Sequence, residues 1–197
     1  MGTRLRSTRQ DNLLILNLEG DDGLPRIERR VLAQLGSQIE KLNATREFAG
    51  CVITGTERAF AVGADIAELA RLTAAEAYEF SREGQGILRT IERSRVPIVA
   101  AIQGYCMGGG LDLALACRAR IATADAVFAH PGGAIGILTG WGGTRRLTRL
   151  IGRARALELL TTGRKLSAEE AFAFGLVNRI VSRNEFARAP GVSVNSS

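Results

Sequence analysis

Ile98-Val99-Ala100-Ala101-Ile102-Gln103-Gly104-Tyr105-Cys106-Met107-Gly108-Gly109-Gly110-Leu111-Asp112-Leu113-Ala114-Leu115-Ala116-Cys117 decides the fold. The opening run, Ile98 to Ile102, is continuously apolar, as in a strand covered on both faces. The run after Gly110 has the apolar spacing of a buried helix. Between them stand Gly108, Gly109 and Gly110, which allow a sharp turn and let a ligand lie directly against the backbone. The first N–H groups of a helix lack intrahelical partners and sit at its positive end. This junction therefore suits a developing negative charge, with Asp112 one turn in.

Outward from this stretch, strands and helices alternate, which implies an α/β fold. Leu13 to Leu18 and Cys51 to Thr54 predict strands. Ile27, Val31, Leu32, Leu35, Ile39 and Leu42 share one face of a helix over 27–42. Asp65 to Leu72 predicts a short helix. Thr73 with Glu76 forms a capping box that opens a long helix to about Arg93, with Ala77, Phe80, Ile87, Leu88 and Ile91 on its apolar face. Arg120 to Thr123 and Ala126 to Ala129 are short strand candidates, and Gly132 to Gly143 is a glycine-rich loop. Helical spacing returns over 144–151 and 154–160. Ser167 with Glu170 caps a short helix ending at Gly175, and Leu176 to Val181 is a last strand. Residues 1–183 are expected to form one core domain, and 184–197 a polar, disordered tail.

A chain of 197 residues can bury a substantial core. No apolar run reaches the roughly 18 residues needed to span a bilayer, and no apolar segment follows Arg6 as a secretory signal requires. Cys51, Cys106 and Cys117 sit in apolar contexts and read as free thiols, which points to the cytoplasm. The net charge of +6 is carried by arginine, Lys41 and Lys165 being the only lysines. Such a balance suits a solvated basic surface or a phosphate-bearing ligand. Aromatic residues are few and the basic ones scattered, which argues against nucleic acid.

Two families use glycines in this way. Gly104, Gly108 and Gly110 match the G-x-x-x-G-x-G spacing of short-chain dehydrogenases. In those enzymes the motif lies near the N-terminus and is joined by a Tyr-x-x-x-Lys pair, which this chain lacks. The alternative combines three segments: Phe60-Ala61-Val62-Gly63-Ala64-Asp65-Ile66, the glycine stretch, and Gly140-Trp141-Gly142-Gly143-Thr144-Arg145-Arg146-Leu147. In this order they resemble the enoyl-CoA hydratase/isomerase (crotonase) superfamily. Leu166 to Ala171 and Gly175-Leu176-Val177 fit it too, so the match runs from about Leu13 to Val181.

The resemblance implies an α/β fold built as a crotonase-like spiral of β-β-α units. It implies a coenzyme A thioester as substrate, with no further cofactor and no metal. The family's two oxyanion-holding N–H groups fall on Ala64 and Gly109. Fixed main-chain donors stabilise an enolate oxygen without reorganising, and losing one typically costs about 3–4 kcal/mol of barrier. Val62, Asp65 and Ile66 fall beside the substrate, and Arg26 and Arg58 on positions suited to coenzyme A phosphates. Of the two glutamates carried by the family's hydratases, the first falls on Asp112 and the second on Gly132. Aspartate is shorter by one methylene, and glycine handles no proton. Adding water needs groups that activate water and protonate carbon, whereas one carboxylate can move a proton between carbons. His130, the only histidine, stands two residues before Gly132 and is a candidate substitute acid or base. Trp141 either packs the loop or lines the acyl pocket.

The expected activity is therefore enoyl-CoA hydratase/isomerase-type processing. Alternatives are a decarboxylase or thioester hydrolase on the same fold, or a coenzyme A-binding member without turnover. Family members assemble as trimers or hexamers using C-terminal helices that extend beyond the point where this sequence stops, so a homo-oligomer is expected only if other surfaces replace them.

Overall fold

The computed structural model describes residues 2–188. The chain enters as an antiparallel hairpin, β1 (Thr3–Gln10) and β2 (Leu13–Gly20). Asp11, at the two-residue turn, takes a φ of 53°, a conformation that Asp tolerates better than most residues. No strand is expected over 3–10 from the sequence, because TRLRSTRQ has no apolar alternation. It is an edge strand, held by main-chain pairing to β2 and largely exposed.

Helix α1 (Arg29–Ala44) follows, and the six residues of its expected apolar stripe are all buried. Burying each such side chain is worth about 1.5–3 kcal/mol. The chain then advances in repeating turns. β3 (Gly50–Thr54) enters a large sheet, β4 (Ala59–Ala61) enters a small one, and helices α2 (Ile66–Leu69) and α3 (Ala74–Glu92) cover them. The next turn is β5 (Ile98–Ile102), β6 (Tyr105–Met107) and α4 (Gly109–Ala116). The third is β7 (Ala119–Thr123), β8 (Val127–Ala129), a 3-10 turn over Pro131–Ile135, and helices α5 (Gly143–Ile151) and α6 (Arg153–Thr162). The chain closes with β9 (Leu166–Ser167), α7 (Ala168–Ala173), β10 (Arg179–Val181) and α8 (Arg183–Arg188).

The large sheet runs β1-β2-β3-β5-β7-β10, parallel from β2 onward. The small sheet runs β4-β6-β8-β9, with β4, β6 and β8 parallel. This is the expected spiral of β-β-α units. Both capping boxes form, Thr73 with Glu76 and Ser167 with Glu170.

Several local expectations change. The first short helix is only Ile66–Leu69, with Asp65 as its cap. β5 does not lead straight to the glycine turn, because Tyr105–Met107 pair between β4 and β8 first. Ala77 is exposed on α3, and Gly84 takes a buried place instead. The last strand begins at Arg179, since the main chain of Leu176 and Val177 turns back onto Ala171. The expected disordered tail is helical over 184–188, where Phe186 buries its ring against the core. Residues 189–197 of that expectation lie outside the described residues. Cys51, Cys106 and Cys117 are free and buried. Among the described residues, no helix is long and apolar enough to cross a membrane.

Helix α4 is buried along nearly its whole length, as expected of a helix apolar on all sides. Both its ends are specialised. At the C-terminal end, Arg120 is buried and donates to the carbonyls of Ala114, Cys117 and Leu176. A cation there satisfies unpaired carbonyls and complements the helix dipole. At the N-terminal end the backbone lies directly on β4. A Cβ at Gly110 would stand 2.3 Å from the carbonyl oxygen of Ala61.

Two substitutions test this packing. Gly110→Ala should destabilise the chain by about 1–3 kcal/mol, because backbone must move to admit the methyl. Gly86→Ala, in α3 with nothing within 4 Å of the new Cβ, should stabilise by about 0.5–1 kcal/mol. Urea-unfolding midpoints read both, and a neutral Gly110→Ala would contradict the close approach.

Candidate active site

A cavity of about 580 Å³ lies where α2, α3, the start of α4 and the loop over 130–141 meet. Its size is that of an ordinary small-molecule site. Its wall is mostly apolar, with Val62, Leu69, Phe80, Ile137, Leu138 and Trp141 among its lining. Ile66, Ile135 and Leu138 stand exposed.

Two strand ends supply the floor. β4 runs out through Val62-Gly63-Ala64, and β6 through Gly108-Gly109. They are pressed together: a Cβ at Gly63, whose φ is 102°, would lie 3.3 Å from the nitrogen of Gly109. The loop over 25–27 fixes the first segment, through Val62 N–H to the Pro25 carbonyl at 2.9 Å and Ile27 N–H to the Gly63 carbonyl at 2.7 Å. Gly108 takes a φ of 51° and donates its N–H to the Ala129 carbonyl at 3.0 Å. The N–H groups of Ala64 and Gly109 donate to no acceptor among the described residues. Both residues are half-buried and line one cavity wall, so two unpaired main-chain donors there mark a place for an external oxygen.

Asp112, from the first turn of α4, is fully buried yet borders the cavity. The hydroxyl of Thr139 donates to its Oδ2. Burial pushes its carboxyl up to about 6, against the downward pull of Thr139, Arg146 and the N–H groups of Trp141 and Gly143. Position 143 must be glycine for this seat, since a Cβ there would stand 1.9 Å from Oδ1.

His130, at the end of β8, is also buried and borders the same cavity. Its Nε2 lies 3.3 Å from Asp112 Oδ1, yet neither atom has an aligned hydrogen bond. The contact is therefore one of charge and proximity. Burial pulls the imidazole down to about 4.

The structure brings together most of the expected site residues: Val62, Ala64, Ile66, Gly109, Asp112, His130, Gly132 and Trp141 all line the cavity. Trp141 both borders the cavity and packs against its neighbours. It packs edge-on to Phe80 at 5.4 Å and covers Gly84 and Gly109, whose added Cβ atoms would strike its ring. Gly132 has no room for a side chain, since a Cβ would meet the Ile137 carbonyl oxygen at 2.4 Å.

One expectation needs correcting. Asp65 does not face the cavity: its Oδ1 accepts from the N–H groups of Ala67 and Glu68 and caps α2. Arg26 and Arg58, expected near coenzyme A phosphates, lie away from the cavity wall. Arg26 pairs with the Asp22 carboxylate at 3.0 Å and Arg58 donates to the Asp22 carbonyl at 2.6 Å. Thr139 and Gly143 were not singled out from the sequence, being 27 and 31 residues from the aspartate they hold.

The two buried groups make opposite demands on stability. A folded Asp112 that keeps its proton up to about 6 contributes stability present at low pH and lost as pH rises from about 3.8 to about 6. A folded His130 that resists protonation until about 4 contributes the reverse, stability lost as pH falls from about 6.5 to about 4. The slopes oppose one another in the native chain. Relative to the Asp112→Asn/His130→Gln double variant, Asp112→Asn should gain stability from pH 4 to 6.5, and His130→Gln should lose it from pH 4 to 6. Urea midpoints across this range check both signs.

Comparison with known proteins agrees with this architecture. The enoyl-CoA hydratase/isomerase family model matches residues 10–190. A crotonyl-CoA hydratase of Syntrophomonas wolfei is 36% identical over 178 residues, covering 90% of this chain and 68% of that protein. A probable enoyl-CoA hydratase of Mycobacterium tuberculosis is 36% identical over 190 residues, covering 95% of this chain and 73% of the relative. Among solved structures, an enoyl-CoA hydratase from Thermoplasma volcanium superposes with a TM-score of 0.88 at 38% identity, covering 93% of this chain and 74% of that one. Pseudomonas aeruginosa DspI superposes with a TM-score of 0.89 at 32% identity, covering 94% of this chain and 71% of that one. A spiral of β-β-α units carrying two unpaired N–H groups over a buried carboxylate, matched across nearly its whole length, makes this chain a member of the enoyl-CoA hydratase/isomerase family.

Proposed function

We propose that the cavity binds an unsaturated acyl-CoA thioester and shifts a proton on its acyl chain through an enolate. The observation that carries this reading is the pair of unpaired N–H groups at Ala64 and Gly109, with the Asp112 carboxylate buried beside them. The thioester oxygen would sit between the two donors. As a proton leaves the carbon next to the carbonyl, negative charge collects on that oxygen, and fixed donors stabilise it where it forms. Asp112 is the base. Near neutral pH it is mainly ionised, and its raised proton affinity suits it to give the proton back.

The apolar walls and the exposed Ile66, Ile135 and Leu138 suit a hydrocarbon acyl chain. Among the described residues no Arg or Lys lines the cavity, so a malonyl-type carboxylate would find Asp112 and no counter-charge on its wall. That disfavours the decarboxylase alternative. With Gly132 contributing no carboxylate, moving a double bond is favoured over adding water. The coenzyme A is part of the substrate, and the chemistry calls for no further cofactor. A cytoplasmic enzyme and a homo-oligomer belong to the same proposal.

The test follows 3-enoyl-CoA, crotonyl-CoA and malonyl-CoA with the purified protein. Conversion of 3-enoyl-CoA to the 2-enoyl isomer is expected, with hydration of crotonyl-CoA at least about tenfold slower. Asp112→Ala should lower turnover by about 10²–10⁴-fold. Decarboxylation without isomerisation or hydration, or full activity in Asp112→Ala, would defeat the proposal.

A further inference from the structure

Two titratable side chains border the cavity, and the enolate reading uses only one of them. The other, His130, is 4% exposed. Its position follows from the fold. β8 pairs with β6 up to Ala129 opposite Met107, and the Ala129 carbonyl accepts the Gly108 N–H. The residue after Ala129 therefore emerges beside the start of α4, where Asp112 sits. Thr139 occupies Oδ2 of the aspartate, so Oδ1 is the oxygen turned toward the imidazole.

Oδ1 and Nε2 are both buried, 3.3 Å apart, and without an aligned hydrogen bond. A pair built only for stability would close into a straight hydrogen bond, because an unpaired buried polar atom costs roughly 1–3 kcal/mol. Both residues border the cavity, so these unpaired atoms stand directly behind its wall, within a side-chain shift of whatever enters it.

Building on the enolate reading, we infer that His130 is a second proton-transferring residue of the site, receiving at Nε2 the proton that Asp112 removes and delivering it to a different carbon. In a 3-enoyl-CoA, the bond between C2 and its hydrogen breaks and the proton goes to Oδ1. The electron pair spreads into a dienolate whose oxygen lies on Ala64 and Gly109. The proton passes from Oδ1 to Nε2. The imidazolium then protonates C4, the double bond settles between C2 and C3, and the carbonyl re-forms. Asp112 and His130 end as they began, and no co-reactant is consumed. One carboxylate would have to reach both carbons by itself, whereas two groups 3.3 Å apart divide the distance.

The experiment incubates 3-enoyl-CoA in D₂O with wild type, His130→Gln and Asp112→Asn, and reads deuterium at C2 and C4 by NMR. Wild type should exchange at C2 and isomerise. His130→Gln should lose isomerisation by about 100-fold or more, while C2 exchange falls by less than about tenfold. That residual exchange also reports an intact site. Asp112→Asn should lose both. Isomerisation at the wild-type rate in His130→Gln would overturn the inference. So would a proportional loss of exchange and isomerisation with an unchanged melting temperature, which would make His130 a positioning residue. If His130→Gln melts early, His130→Asn is read by the same two criteria. A wild type that neither exchanges nor isomerises would defeat the enolate reading itself, and this inference with it.

Discussion

The contact between main chain and main chain at the start of α4 is the constraint on which the site depends. Gly110 lies on the Ala61 carbonyl with no space for a Cβ, and Gly63, at a φ of 102°, lies so close to Gly109 that a Cβ would be tight and strained. This approach joins the two consecutive β-β-α turns that end in Ala64 and Gly109. It also leaves their N–H groups side by side without acceptors. Any side chain at these glycines would part the strands and scatter the donors. The pairing of these two donors is thus a consequence of how closely two turns of the spiral stack.

The rest of the chemistry is arranged around that seam by burial. Asp112 is held inside the protein by the Thr139 hydroxyl, and desolvation keeps its proton affinity high. The same burial keeps His130 neutral. The cost of sheltering each group falls in an overlapping pH range with opposite sign, so the fold tolerates both together more evenly than either alone. Trp141 closes the arrangement. Its ring needs glycine at 84 and at 109, which couples α3 to the floor of the cavity.

Much of this was legible in the chain. The capping boxes at Thr73 and Ser167, the stripe of α1 and the apolar run of β5 depend on residues within a few positions of one another, and all formed. Ala64, Gly109 and Asp112 were singled out through the resemblance carried by three spaced motifs. What escaped was non-local or lacked an apolar signature. β1 is polar and owes its existence to pairing with β2. Arg120 read as an ordinary strand residue, yet its guanidinium is buried against carbonyls up to 56 positions away. The contacts of Arg26 with the Asp22 carboxylate and of Arg58 with the Asp22 carbonyl were likewise not readable from the sequence.

By itself, then, the amino-acid order determined the alternation of strands and helices and the glycine junction. Those properties follow from backbone freedom and local periodicity, whereas Ala64 and Gly109 were singled out only through the resemblance to a family. Only the tertiary structure decided that Thr139 would hold Asp112, that Gly132 would have no room for a carboxylate, and that His130 would come within 3.3 Å of the aspartate. These outcomes depend on where distant turns of the spiral meet, and no spacing along the chain records a distance through space.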